Sequence, residues 1–157
     1  MANDGGTTAV MEQWIAETLS AVIYNDNLIF KTADVWKFQI GAGEGGLEAF
    51  KSFEPFAFVK YQAPREDREG DYALKQVLRF AVIIGVESKS PGVARCGNAN
   101  NLGTSKIRDL VIAALEDQHP GGSVACDPLY YKGEFEAVDS SIRHAIEMHF
   151  EANMITI

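Results

Sequence analysis

The chain has 157 residues, 46% of them hydrophobic and 23% charged, proportions that fit one ordinary globular domain with a real core. Its formal net charge is −8, from 22 acidic and 14 basic residues. Nucleic-acid affinity comes largely from Lys and Arg neutralising phosphates, so this balance argues against a conventional DNA- or RNA-binding surface. No apolar run approaches the length of a bilayer span, which argues against a helical membrane protein.

The opening MANDGGTT has neither the basic start nor the apolar block of a signal peptide, so the expectation is a soluble protein made to stay in the cytoplasm. Met1 to Thr8 is small and polar, a flexible end. A first helix follows, with Thr7 or Thr8 as its N-cap. Its stripe is Met11, Trp14, Ile15, Thr18, Leu19 and Val22 at helical spacing, while Glu12, Gln13 and Glu17 face water. Asn25-Asp26-Asn27 is a turn signal that ends this helix. Alternation then predicts a strand near Val35 to Ile40. Gly41 to Gly46 is glycine-rich but lacks a Lys-Ser/Thr pair and a strand–loop–helix frame, so it reads as a flexible loop rather than a phosphate cradle.

Pro55 to Gln62, PFAFVKYQ, alternates as a strand. Pro64 to Asp71, PREDREGD, is too charged to bury at low cost and reads as a solvated hairpin tip or an arm. The longest strand signal comes next. Leu74, Leu78, Phe80, Val82, Ile84 and Val86 share one face, interrupted by Gln76. The other face, Lys75, Val77, Arg79, Ala81, Ile83 and Glu87, is mixed, and its apolar middle implies cover by another layer or another subunit.

Lys89 to Leu102 is a polar, Gly/Asn-rich connection into a second helix. Ile107, Leu110, Val111, Ala114 and Leu115 form its stripe, Thr104 or Ser105 its cap, and Pro120-Gly121-Gly122 its stop just past His119. Strand-like segments follow around Leu129 to Tyr131 and Gly133 to Ala137. The final run, Ile142 to Met154, alternates with period two throughout, a strand with one buried and one solvated face. The implied order is helix, weak strand, strand, long strand, helix, strand, strand. It predicts an α+β fold: a mostly antiparallel sheet of four or five strands with helices packed on one face, in a single domain over 1–157.

Chemistry is sparse. Cys96 and Cys126 lack metal-ligand or disulfide spacing and read as reduced thiols. His144 and His149 fall on opposite faces of one strand, so they cannot share a metal within it; the first reads as a core histidine and the second as a surface one. His119 complements its helix C-terminus. Glu134 and Glu136 share a strand face, yet no basic partner or nucleophile stands near them in sequence, and they read as a solvated face. There is no nucleophile elbow and no HExxH, so no catalytic residue, metal or cofactor is expected, and the chain is not read as an enzyme.

The phrases SFEPFAFVKYQ, RFAVIIGVES, VARCGNANNLGTSKIRDLVIAAL, DPLYYKG and RHAIEMHFEANM resemble the Mu-like phage Gp37 family, over roughly residues 8 to 154. In that family a strand with a P-x-x-F-V phrase, here Pro55 to Val59, leads to a long strand, a Gly-containing linker and helix, a P-L phrase, here Pro128-Leu129, and a final aromatic-containing strand. The family is similar in organisation to phage tail terminators. The resemblance implies a homo-hexameric ring in the virion, assembled in the host cytoplasm, that caps the head-proximal end of the tail tube and stops its polymerisation. The implied partners are further copies of the chain, the tail tube protein, the sheath protein as an additional candidate, and the neck or head-completion protein. Phage DNA would pass through without specific binding, and no membrane is involved. Gly41 to Gly46 and Pro64 to Asp71 have no counterpart in the family pattern. Arg65, Glu66, Asp67, Arg68 and Glu69 of the arm, with Lys75, Val77 and Arg79 of the mixed face, are the candidate intersubunit or tail contacts. The alternatives are a neck or head–tail joining protein and, in another class, a small-molecule-binding α+β regulatory domain.

Overall fold

The computed structural model describes residues 6–36, 55–69, 73–88, 92–98, 101–122, 124–139 and 143–154; for 63–69, 73–76 and 139 the description is of the backbone alone. The expected glycine loop at 41–46 lies outside the described residues. The elements are α1 (Thr7–Ser20), β1 (Ile23–Tyr24), β2 (Asn27–Leu28), β3 (Thr32–Val35), β4 (Phe56–Glu69), β5 (Ala73–Glu87), α2 (Val93–Cys96), α3 (Thr104–Leu115), β6 (Tyr130–Asp139) and β7 (Arg143–Asn153). They form an α+β fold with helices packed on a five-stranded sheet of order β3-β4-β5-β7-β6. The sheet is mixed, because β3 runs parallel to β4 while every other pair is antiparallel.

Periodicity explains the core. α1 buries Met11, Ile15, Ala16 and Leu19, and α3 buries Ile107, Val111 and Leu115, each set on one helical stripe. Both stripes meet the face of the sheet formed by Ala57 and Val59 of β4, Leu78, Phe80, Val82 and Ile84 of β5, and Ile146, Met148 and Phe150 of β7. Each such Val, Leu, Ile, Phe or Met side chain, fully buried, stabilises the fold by about 1.5–3 kcal/mol relative to exposure. The opposite face holds a smaller cluster: Phe56, Phe58 and Ala145 are buried there, with Trp36, Ile83 and Val138 packed against them. Of the apolar middle of that face of β5, Val77 and Ala81 are buried within the single chain and Ile83 is partly buried.

One aromatic row crosses the sheet. Tyr61 pairs with Phe80, Phe80 with Phe150, and Phe150 with Tyr131, so four strands contribute one ring each. Ring centroids are 5.6 Å apart for Tyr61–Phe80 and 5.5 Å for Tyr131–Phe150, distances at which tilted rings attract beyond their area burial. Both ends of the row are closed by carboxylates. The Tyr61 backbone N–H, just past the end of β3, donates to Glu12 of α1 at 3.0 Å, and the Tyr131 N–H donates to Glu116 at 2.8 Å. An edge N–H without such a partner would have to find water or a second chain. Glu12→Ala is therefore expected to cost about 1–2 kcal/mol of stability in urea denaturation, since a hydrogen bond to a charged acceptor is lost.

Several local expectations change. α1 and α3 start earlier than expected: Thr7 and Thr104, expected as N-cap candidates, are the first helical residues, and the N-caps are Gly6 and Gly103, with no side-chain cap; the Thr104 hydroxyl is used elsewhere. α3 stops at Leu115, four residues before His119, because Glu116 turns extended and Asp117 takes φ +60° while its N–H donates to the Leu129 carbonyl. His119 Nδ1 instead accepts the Gly121 N–H at 2.8 Å. Asn25 and Asp26, both at positive φ, close the β1–β2 hairpin, a twist that suits Asn and Asp better than other non-glycine residues. β3 falls earlier than expected, at Thr32–Val35, and residues 37–40 lie outside the described residues. β6 is one strand rather than two segments, bent by bulges between Tyr131 and Gly133 and between Glu136 and Val138.

Candidate functional site

The candidate contact residues fall in two places. Arg65, Glu66, Asp67, Arg68 and Glu69 belong to the strand ladder rather than to a loop, because β4 continues through the charged run and pairs Arg65 with Val77, Asp67 with Lys75 and Glu69 with Ala73. Backbone pairing needs no apolar side chain, so a charged stretch can extend a hairpin. β7 accompanies β5 from Val77 to Glu87. Among the described residues, Ala73 to Gln76 pair only with β4, so a two-stranded arm outruns the sheet by about 13 Å at ~3.3 Å per residue. Lys75 sits on that arm. Val77 and Arg79 sit at its root: Val77 is buried, at 1% exposure, and Arg79 is half-buried. Val77 therefore supports the arm's base and presents no surface of its own.

A second group was not legible as a group. Glu134 and Glu136 of β6 share the helix-side face, paired with Met148 and Ile146. α2 and α3 bring their basic partners. Arg95 donates to Glu136 at 2.6 Å, and Arg108 donates to Glu134. Tyr131 also donates its hydroxyl to Glu134, while Arg108 lies over the Tyr131 ring at 5.6 Å. The Glu134 hydrogen bond is the largest influence holding the Arg108 guanidinium above its usual range. Partial burial, reinforced by Glu134, raises the Tyr131 phenol. Both carboxylates are exposed, as a solvated strand face requires, and each is in addition paired with an arginine distant in sequence.

Next to them a buried polar chain runs inward. The Thr104 hydroxyl, fully buried, bonds His144 Nδ1, and His144 Nε2 lies 3.2 Å from Glu136. These groups border a cleft of about 270 Å³ that also touches Arg95, Ser105, Arg108 and Phe135. Hydroxyl, imidazole and carboxylate in line are the parts of a nucleophile relay. Thr104 at 0% exposure is closed to a substrate carbonyl, however, so the chain acts as a fastening between α3, β7 and β6. Thr104→Val keeps the shape and leaves His144 Nδ1 short of a partner; it is expected to cost about 1–3 kcal/mol, read as a lowered urea midpoint.

His149 is on the other face, as the alternation requires. It lies 2.7 Å from Glu147 and edge-on to the exposed Phe135 at 5.5 Å. Among the described residues no group of three or more His, Cys, Asp or Glu is placed to hold a metal ion, and no helix is long and apolar enough to cross a membrane. In comparisons with known proteins, no family model and no curated protein matches the sequence.

Proposed function

We propose that this chain is a structural protein of a phage virion, a tail terminator that assembles as a homo-hexameric ring, caps the tail tube and offers a docking surface to the neck. The observation that carries this proposal is the charged arm. An isolated two-stranded ribbon is marginally stable in water, so one that outruns its sheet gains order by docking on something else. With five charges in the six residues Pro64–Glu69, that contact is polar and specific rather than a second core. With Phe56, Phe58 and Ala145 of the second face buried within the chain, the arm is the better surface for a neighbouring subunit or the tube end. A net charge of −8 also suits a bore through which DNA slides, since acidic walls give phosphates no counterion-release gain.

The experiment is to shorten the arm, removing Asp67 to Leu74 and bridging the strands with a two-residue turn, and to add the variant to polymerising tubes. The expected outcome is a folded protein with an unchanged far-ultraviolet spectrum that no longer stops tubes at a fixed length. Normal length control by the shortened protein would contradict the proposal. The neck alternative places the same contact one layer closer to the head, and labelled protein located on intact particles separates the two.

A further inference from the structure

A groove of about 570 Å³ opens between the β1–β2 hairpin and the connection that leads into α3. Asn25, Asn27, Asn98 and Asn101 line it, together with Tyr24 and an apolar floor that includes the buried Ile29. A second cleft of about 330 Å³ continues it past Tyr24, Asn98 and Asn101 to Lys106, whose ammonium lies 5.0 Å from the centre of the Tyr24 ring. None of the described residues lining the larger groove carries a formal charge, on a chain whose net charge is −8.

Both walls are held before any ligand arrives. The Asn98 N–H donates to the Asn101 carbonyl at 2.9 Å, and the Asn101 N–H donates to the Asn98 side-chain oxygen at 2.9 Å. On the facing wall, the Asn27 amide donates to the Asn25 carbonyl at 3.0 Å across the hairpin turn. Asn25 and Asn98 thus serve their own turns. Asn101 is exposed, and its side-chain amide makes no hydrogen bond among the described residues.

We infer that this groove binds an uncharged saccharide. Each asparagine amide carries donors and an acceptor side by side, the complement of neighbouring sugar hydroxyls, which both donate and accept. The Tyr24 ring and the aliphatic floor take the C–H face of a pyranose. Among the described residues lining the larger groove a charged ligand would lose hydration without meeting an opposite charge, and Lys106 of the adjoining cleft is engaged with the Tyr24 ring. The volume lies within the ~300–1,000 Å³ of small-molecule sites, and the pre-ordered turns limit the entropy lost on binding. The site is separate from the arm and does not depend on the ring.

The test is a nitrogen-15 NMR titration of the full chain with chitotriose, maltotriose and galactobiose, with glucuronate and triglycine as charged and peptide probes. The expected result is saturable shifts centred on Tyr24, Asn98, Asn101 and Leu102 for at least one neutral sugar, with a Kd of about 1 mM or tighter. Asn101→Ala should weaken that binding at least tenfold while leaving the rest of the spectrum in place. No saturable shift with any neutral sugar would overturn the inference. So would saturation by glucuronate or triglycine alone, or undiminished sugar binding by Asn101→Ala.

Discussion

Phe80→Ala is expected to lose about 3–5 kcal/mol of folding stability, the usual cost of emptying a buried phenylalanine site. Phe80 has no exposed surface and lies on β5, the middle strand of five. It is also the second ring of the aromatic row, flanked in register by Tyr61 and Phe150. Removing it deletes its own transfer energy and leaves both neighbours facing a cavity that strand pairing prevents from collapsing. Domains are held by only about 5–15 kcal/mol in total, so the variant should unfold at a much lower urea concentration, with an unchanged slope if the transition stays two-state. A loss below about 1 kcal/mol would mean that the row is not part of a fixed core.

The second large effect is expected at Gly103, through crowding rather than a cavity. Its φ of −87° is open to any residue, so conformational freedom is not the reason for glycine here. The reason is contact. A Cβ at Gly103 would lie far inside 3.0 Å of the Arg95 carbonyl and the Gly97 nitrogen, and one at Gly97 would come within 2.7 Å of the Gly103 nitrogen. These neighbours are backbone atoms and cannot swing aside. Gly103→Ala must push α2 away from the start of α3, disturbing Thr104–His144 and Arg95–Glu136 together. The expected loss is about 2–3 kcal/mol, at the upper end for overpacking. Gly121→Ala is no control, because Gly121 sits at φ +82°; Gly6→Ala is, since nothing lies within 4 Å of a Cβ there and φ is −63°. If Gly103→Ala proves as mild as Gly6→Ala, the two glycines do not touch in solution.

The parts of this fold that follow from burial were readable in advance. The sequence of β7 alternates because one face meets the helices, although its other face, expected to be solvated, also buries Ala145 and Glu151, and α3 repeats Ile107, Val111 and Leu115 because one stripe meets the sheet. The unreadable parts depend on partners far along the chain. Nothing near Glu12 marks it as the acceptor for a backbone N–H 49 residues away, and Glu134 and Glu136 find Arg108 and Arg95 at separations of 26 and 41. β3 pairs in parallel with β4, a long-range choice that four residues of local pattern cannot announce. The charge of Pro64–Glu69 announced a solvated hairpin tip or an arm, but not that the ladder of β4 continues through it, because that ladder is made by the backbone. For the candidate contacts, the alternation placed Val77 and Arg79 on the second face of β5 but not at the root of an arm.

The central claim, that this chain forms a capping ring, is tested most directly by light scattering and negative-stain imaging of the purified protein with and without polymerised tail tube. A six-membered ring, or a monomer that becomes a ring only on tube ends, is the result this account predicts. A compact monomer or dimer that ignores tubes would contradict it.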